Sequence, residues 1–298
     1  MSASLADNSR GVLLMTASMA GFTFNDVFMK AASDEVPLMQ ALFLRGIVTT
    51  ALIFAMAVAF RQLRFDLSRG DWGLIGLRTL AEIGAAYFFI TALFNMPIAN
   101  VTAILQVLPL TVTLAGALLL GETVGWRRMA AILIGLVGVM LIVRPGPDGF
   151  NTYALYALVA VIAITMRDVV TRKMTARVPS LTVALSAAAG IGLFGLVGTL
   201  TQPWAPMSPL AYGQLFAAAL CIIVGYLASV MVMRVGEIGF IAPFRYTGLI
   251  WALLLGFFVF GEWPDWLTLT GAAIVVATGI FTYWRERQLA LKMRRTSP

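Results

Sequence analysis

The chain has 298 residues, 60% hydrophobic and 12% charged, with a mean hydropathy of +0.90; soluble domains are roughly 45–50% apolar and about 25% charged. That balance excludes an ordinary soluble protein and marks a membrane protein, while a formal charge of +7 dispersed over short loops argues against nucleic acid as a partner. With no histidine and a single cysteine, Cys221, the chain has no intramolecular disulfide, no multi-cysteine metal site and no histidine-based catalysis, so no metal or cofactor is expected.

Apolar runs between charged or Pro/Gly/Asn breaks predict ten spans, at 11–31, 36–60, 71–94, 97–120, 127–144, 150–172, 181–201, 209–233, 239–260 and 266–284. A helix rising about 1.5 Å per residue crosses a hydrocarbon core about 30 Å thick in about 20 residues. Barrel strands would alternate in polarity, and these runs do not. The first run has signal-peptide features, with Arg10 ahead of it and Ala17, Ser18, Ala20 and Gly21 within it. We read it as a retained span, because cleavage there would remove most of the helix that carries Asp26. Lys and Arg crowd the loops on one side of the membrane and leave only Lys30 and Arg144 on the other, which places both termini in the cytoplasm.

The stretch Phe22–Pro37 has a second copy at Ile164–Pro179, with Thr23, Asp26, Val27, Val36 and Pro37 repeated as Thr165, Asp168, Val169, Val178 and Pro179. A second correspondence, at a spacing of 140 residues, relates Ile98, Leu114, Gly116, Gly121 and Glu122 to Ile238, Leu254, Gly256, Gly261 and Glu262. A unit of this length points to two large halves rather than a solenoid. Five spans per half is an odd number, so the second half is inverted. The expected fold is an all-α integral membrane protein of ten transmembrane helices in two inverted five-helix repeats, 1–146 and 147–284. A basic tail, 285–298, follows along the anionic inner leaflet.

Ten spans in inverted halves, the pairs Gly121-Glu122 and Gly261-Glu262, and the glycine-rich helices after them (Gly135 and Gly138; Gly271 and Gly279) resemble the EamA family of the drug/metabolite transporter superfamily. Within it, the bacterial aromatic amino-acid and amino-acid exporters are the nearest match. The resemblance implies a transporter rather than an enzyme, in the bacterial inner membrane, with spans 1, 3, 4, 6, 8 and 9 around a central cavity and spans 5 and 10 peripheral.

Ionisable groups within spans are expensive and are functional candidates. Glu82 lies near the midplane of the third span, one turn beyond Arg78 on the same face. The two either receive substrate or neutralise each other. Arg45 is also deep, in the second span; it reads as mainly structural, with Glu82 its expected partner where the two helices face each other. Asn25 with Asp26, and Arg167 with Asp168, occupy equivalent places in the two halves and are candidate gates; the alternative is a pair of i,i+4 contacts, Asp26 with Lys30 and Asp168 with Arg172. Pro109 predicts a kink in the fourth span, beside a polar stripe of Thr102 and Gln106 suited to a zwitterion. Arg245 in the ninth span joins the cavity candidates. Tyr87, Tyr226, Tyr246 and Trp251 lie too deep for an interfacial belt, and either stack on an aromatic substrate or pack helices.

These residues describe a secondary carrier working by alternating access, exporting amino acids and related metabolites, as a monomer or a homodimer. The rivals are an importer of a large planar metabolite such as riboflavin or S-adenosylmethionine, and an intramembrane enzyme, for which no nucleophile with a base is present at depth.

Overall fold

The architecture follows from a computed structural model that describes residues 5–120, 125–144, 151–175, 177–201, 204–232 and 241–296. Among these, eleven helices succeed one another: α1 (Leu5–Ala31), α2 (Leu38–Ala59), α3 (Arg69–Asn95), α4 (Ile98–Leu105), α5 (Leu108–Leu120), α6 (Trp126–Val143), α7 (Thr152–Arg172), α8 (Ser180–Thr199), α9 (Pro209–Val232), α10 (Thr247–Phe260) and α11 (Trp266–Thr296). A 3-10 turn, Ala242–Tyr246, leads into α10. Among the described residues there is no strand, and nine helical stretches are long and apolar enough to cross a membrane, α4 and α5 together making one. Met129–Val143 in α6 is apolar but shorter, and it falls where the fifth span is expected.

Local sequence sets the ends. Pro37, Pro97 and Pro179 stand immediately ahead of α2, α4 and α8, where a residue without an N–H costs the helix nothing. Ser68 caps α3, its hydroxyl accepting the Asp71 N–H and donating to the Asp71 carboxylate. At the end of α10, Gly261 takes a left-handed φ of 66°, and the N–H groups of Gly261 and Glu262 bond back to the carbonyls of Phe257 and Gly256. That turn brings the Glu262 carboxylate onto the backbone N–H of Ile98, at 3.0 Å. It thereby caps α4, whose preceding Pro97 offers no side-chain oxygen. The Gly-Glu motif of the second half is therefore a helix stop coupled to a cap on another helix. Its first-half counterpart, Gly121-Glu122, lies outside the described residues, as does Ile238.

The chain forms two compact units. Unit 1 is Met1–Thr23, Pro97–Ala154 and Val224–Pro298; unit 2 is Phe24–Met96 and Leu155–Ile223. They interleave the sequence halves 1–146 and 147–284, because helices at equivalent repeat positions bury their faces against each other. In unit 2, α2 packs antiparallel to α8 along glycines: a Cβ on Gly46 would lie 2.5 Å from the Cα of Gly192, and one on Gly195 would lie 2.5 Å from the backbone nitrogen of Phe43. Gln40 extends this contact by two 2.9 Å hydrogen bonds with the backbone of Ala205. In unit 1, α6 packs antiparallel to α11, where a Cβ on Gly138 would lie 2.8 Å from the carbonyl oxygen of Gly271. Such small-residue contacts supply close van der Waals packing where lipid removes the hydrophobic drive between helices. The ion pair between Arg144 and Asp265 closes the end of this helix pair.

Candidate functional site

In unit 2, Glu82 and Arg78, expected from the third span, meet Arg167 and Asp168, expected from the repeat, in one cluster between α3 and α7. Arg78 reaches Glu82 at 3.2 Å along the same helix face. Arg167 binds Glu82 through Nη1 at 3.0 Å, and Asp168 through Nη2 at 2.8 Å and Nε at 2.9 Å. The Nε of Arg78 donates to Thr171 Oγ1 at 3.1 Å, and Thr171 in turn donates to the carbonyl of Arg167 at 2.7 Å. Two bases thus face two acids with Thr171 as a neutral fifth member. Their side chains remain partly open, at 16% exposure for Arg78, 20% for Glu82, 26% for Arg167 and 35% for Asp168.

A second, sealed group joins α1 and α2 within the same unit. Arg45, 6% exposed, donates from Nη1 to the Asn25 oxygen at 3.1 Å, and the Asn25 amide donates to Asp26 at 2.9 Å. The two bonds fix the orientation of Asn25, oxygen toward the guanidinium and nitrogen toward the carboxylate. Arg45 therefore does not pair with Glu82 as expected. Glu82 is occupied by Arg78 and Arg167. Other contacts stand where the two i,i+4 pairs are expected. Lys30 donates to the carbonyls of Leu93 and Met96, at 3.3 and 2.6 Å, which satisfies backbone acceptors at the end of α3; Asp168 is taken by its neighbour Arg167.

Tyr87, just over one turn beyond Glu82 on α3, stands in an aromatic cluster that sequence reasoning did not assemble. It packs edge-on to Phe194 of α8 at 5.9 Å and to Phe88 at 5.2 Å, and Phe88 meets Tyr156 of α7 at 5.5 Å. Thr171 was also missed, although it lies one turn beyond Arg167; a Thr beside intramembrane charges is the signal that points to it.

In unit 1 the polar stripe lies at a break. The fourth span is interrupted at Gln106 and Val107, just ahead of Pro109: the Gln106 N–H is shared between the carbonyls of Thr102 and Ala103, and the Val107 N–H turns to Ile104, three residues back. Pro109 has no N–H for the carbonyl of Leu105, and its ring crowds that carbonyl, which accounts for the place of the break. Thr102 and Gln106 are half-buried, and a Cβ on Gly248 of α10 would lie 3.8 Å from the Gln106 amide nitrogen. Trp251 on α10 and Tyr226 on α9 are half-buried. Arg245, in the 3-10 turn, is exposed. Tyr246, at the end of the 3-10 turn, is 8% exposed, with its hydroxyl against Gly279 of α11 and no hydrogen-bond partner among the described residues.

Comparison with known proteins bears on what such a chain does. The profile of the EamA-like transporter family matches twice, over residues 9–144 and 151–284. The S-adenosylmethionine uptake transporter of Rickettsia bellii is 22% identical, over 98% of this chain and 99% of that protein. The pseudopaline exporter of Pseudomonas aeruginosa is 26% identical, over 91% and 94%, and the riboflavin transporter of Vibrio cholerae is 28% identical, over 93% and 96%. A solved crystal structure covers 90% of this chain and 96% of its own with a TM-score of 0.62 at 21% identity, which supports the fold alone.

Proposed function

Because this chain belongs to the EamA-like transporter family and is a multi-pass membrane transporter of its two-repeat fold, we propose that it carries amino acids, aromatic ones included, and related small metabolites out of the bacterial cytoplasm by alternating access. The observation that carries this reading is the half-open cluster of two guanidiniums and two carboxylates in unit 2. Groups of both signs, kept within a membrane span but partly exposed, suit a substrate that is itself zwitterionic. Relatives named for uptake and for export leave direction to the proposal, as do cytoplasmic termini, which rest on the distribution of Lys and Arg.

A second reading, uptake of a large planar metabolite, is favoured by the half-buried Trp251 and Tyr226 of unit 1 and by the riboflavin and S-adenosylmethionine transporters among the relatives. Counterflow in proteoliposomes across amino acids, riboflavin, S-adenosylmethionine and nucleosides separates the two. Exchange of α-amino acids is expected; exchange of riboflavin alone would replace this reading with the second.

A further inference from the structure

We propose that Arg78, Glu82, Arg167 and Asp168 form the binding site for the charged head of the substrate, an α-amino-acid zwitterion. Its carboxylate takes a place on the two guanidiniums and its ammonium a place on the two carboxylates. The site deepens the transport reading above and rests on it.

The inverted repeat contains a control for these charges. The 142-residue spacing relates α1 to α7, and their places as third and eighth spans relate α3 to α9, so the contact of α1 with α9 is the counterpart of the contact of α7 with α3. In unit 1, α1 meets α9 through a neutral bond, Ser18 Oγ donating to the Gly225 carbonyl at 2.8 Å, and through the ring of Phe22 lying against Gly225. Along its whole length α9 carries no Lys, Arg, Asp or Glu to stand where Arg78 and Glu82 do, and the α1 residues in the places of Arg167 and Asp168 are Asn25 and Asp26, which leaves one acid of the four charges. This architecture therefore brings the two helices together without four charges. Ion pairs within a membrane span are a poor adhesive, since desolvation offsets most of their attraction. The four groups answer to something other than helix packing.

Their exposure says what. Arg45 shows the form a purely internal arrangement takes here, 6% exposed and bonded to a fixed amide. The α3–α7 cluster, at 16–35% exposure, stays within reach of a water-borne ligand. Its balance then selects the class. With two positive and two negative groups, a ligand of zero net charge and separated poles exchanges one charge-assisted bond for another and leaves no charge uncompensated. A simple cation or anion strands one partner, at the cost that attends any unpaired charge in a low-dielectric site. Arg167, which holds one acid through Nη1 and the other through Nε and Nη2, is the member whose partners both change when the head group enters.

The test uses the full-length protein in proteoliposomes, with labelled phenylalanine in counterflow and 3-phenylpropionate and phenethylamine as competitors. Each competitor lacks one pole. Both are expected to compete at least about tenfold more weakly than phenylalanine, in keeping with hydrogen bonds to charged groups. Glu82→Gln should raise the half-saturating phenylalanine concentration and erase its preference over 3-phenylpropionate, while Arg167→Gln should erase the preference over phenethylamine. Asp168→Asn carries the first arm if Glu82→Gln does not run as a single species on size exclusion. Phenylalanine exchange with both preferences unchanged in the variants overturns the site and leaves the transport reading standing. Wild-type protein that exchanges no α-amino acid overturns both.

Discussion

Units 1 and 2 solve helix packing alike and polarity differently. Each joins helices from both halves of the sequence through glycines that let backbones touch, Gly46 with Gly192 in unit 2 and Gly138 with Gly271 in unit 1. Yet among the described residues the ion pairs that lie well inside spans belong to unit 2, while the pair described in unit 1, Arg144 with Asp265, sits at helix ends. Unit 1 manages its polarity through the backbone instead, with the break at Gln106 and the cap that Glu262 places on α4. The difference separates what the fold needs from what one unit has added to it. Small residues build both units, and buried charge is the speciality of one.

The largest effect expected from this contrast comes from removing a sealed base. Arg45→Met leaves the buried Asn25 oxygen without its guanidinium donor and should destabilise the protein by about 1.5–3 kcal/mol, the usual worth of a hydrogen bond to a charged group. Arg245→Gln, at an exposed position in unit 1, should leave the thermal midpoint in detergent unchanged. Equal losses from the two substitutions would break the comparison.

The glycine contacts should be equivalent between units. Gly195→Val drives a side chain into the backbone of α2, and Gly138→Val into the backbone of α11. Each is expected to cost about 1–3 kcal/mol or more, as overpacking does. Gly213→Val, where a Cβ would meet no atom within 4 Å, serves as the neutral control in thermal melts. A large loss in one unit and none in the other would show that a single glycine seam holds the molecule together.

A smaller effect sharpens the unit 1 side. Glu262→Ala removes the acceptor from the Ile98 N–H and should cost about 0.5–2 kcal/mol, the range for losing an N-cap. Glu262→Gln, which keeps an oxygen there, should recover most of it in the same melts. Full loss in both variants would mean that the charge matters rather than the cap.

How much of this was legible follows from what each signal encodes. Apolar run length reports spans directly, and nine long helical stretches plus α6 fall on the ten expected ones. Pro109 announced its break for a local steric reason. Depth was legible too, which is why Arg45 and Glu82 stood out, while the repeat pointed to Arg167 and Asp168. The rotation of a helix about its axis was not legible from single residues, so Arg45 was matched to Glu82 when it bonds Asn25, and Lys30 to Asp26 when it reaches the end of α3. Nor did the halves read in sequence order reveal that packing would interleave them, since the glycines that draw α2 to α8 carry no label of their partners. The 3-10 turn ahead of α10 escaped as well, although Pro243 lies at its start.

The smallest expected effect compares one loop carboxylate from each unit. In unit 2, Glu35 accepts hydrogen bonds from the hydroxyl and backbone N–H of Ser208, just ahead of α9, and these hold its carboxyl below the usual range. In unit 1, burial pushes Asp265 up, but the Thr268 N–H and the Arg144 guanidinium outweigh it and leave that carboxyl lowered as well. A carboxylate with a depressed value in the folded protein stabilises it above the unfolded value, about 4 for these groups, and that contribution fades as pH falls through the folded one. Both groups are well exposed or screened, so the effect is slight. Melting curves between pH 7 and pH 3 should therefore show a small acid-side loss that Glu35→Gln and Asp265→Asn each reduce in part and the double substitution reduces further. An acid-side loss untouched by either substitution would show that neither loop carboxylate contributes to the comparison.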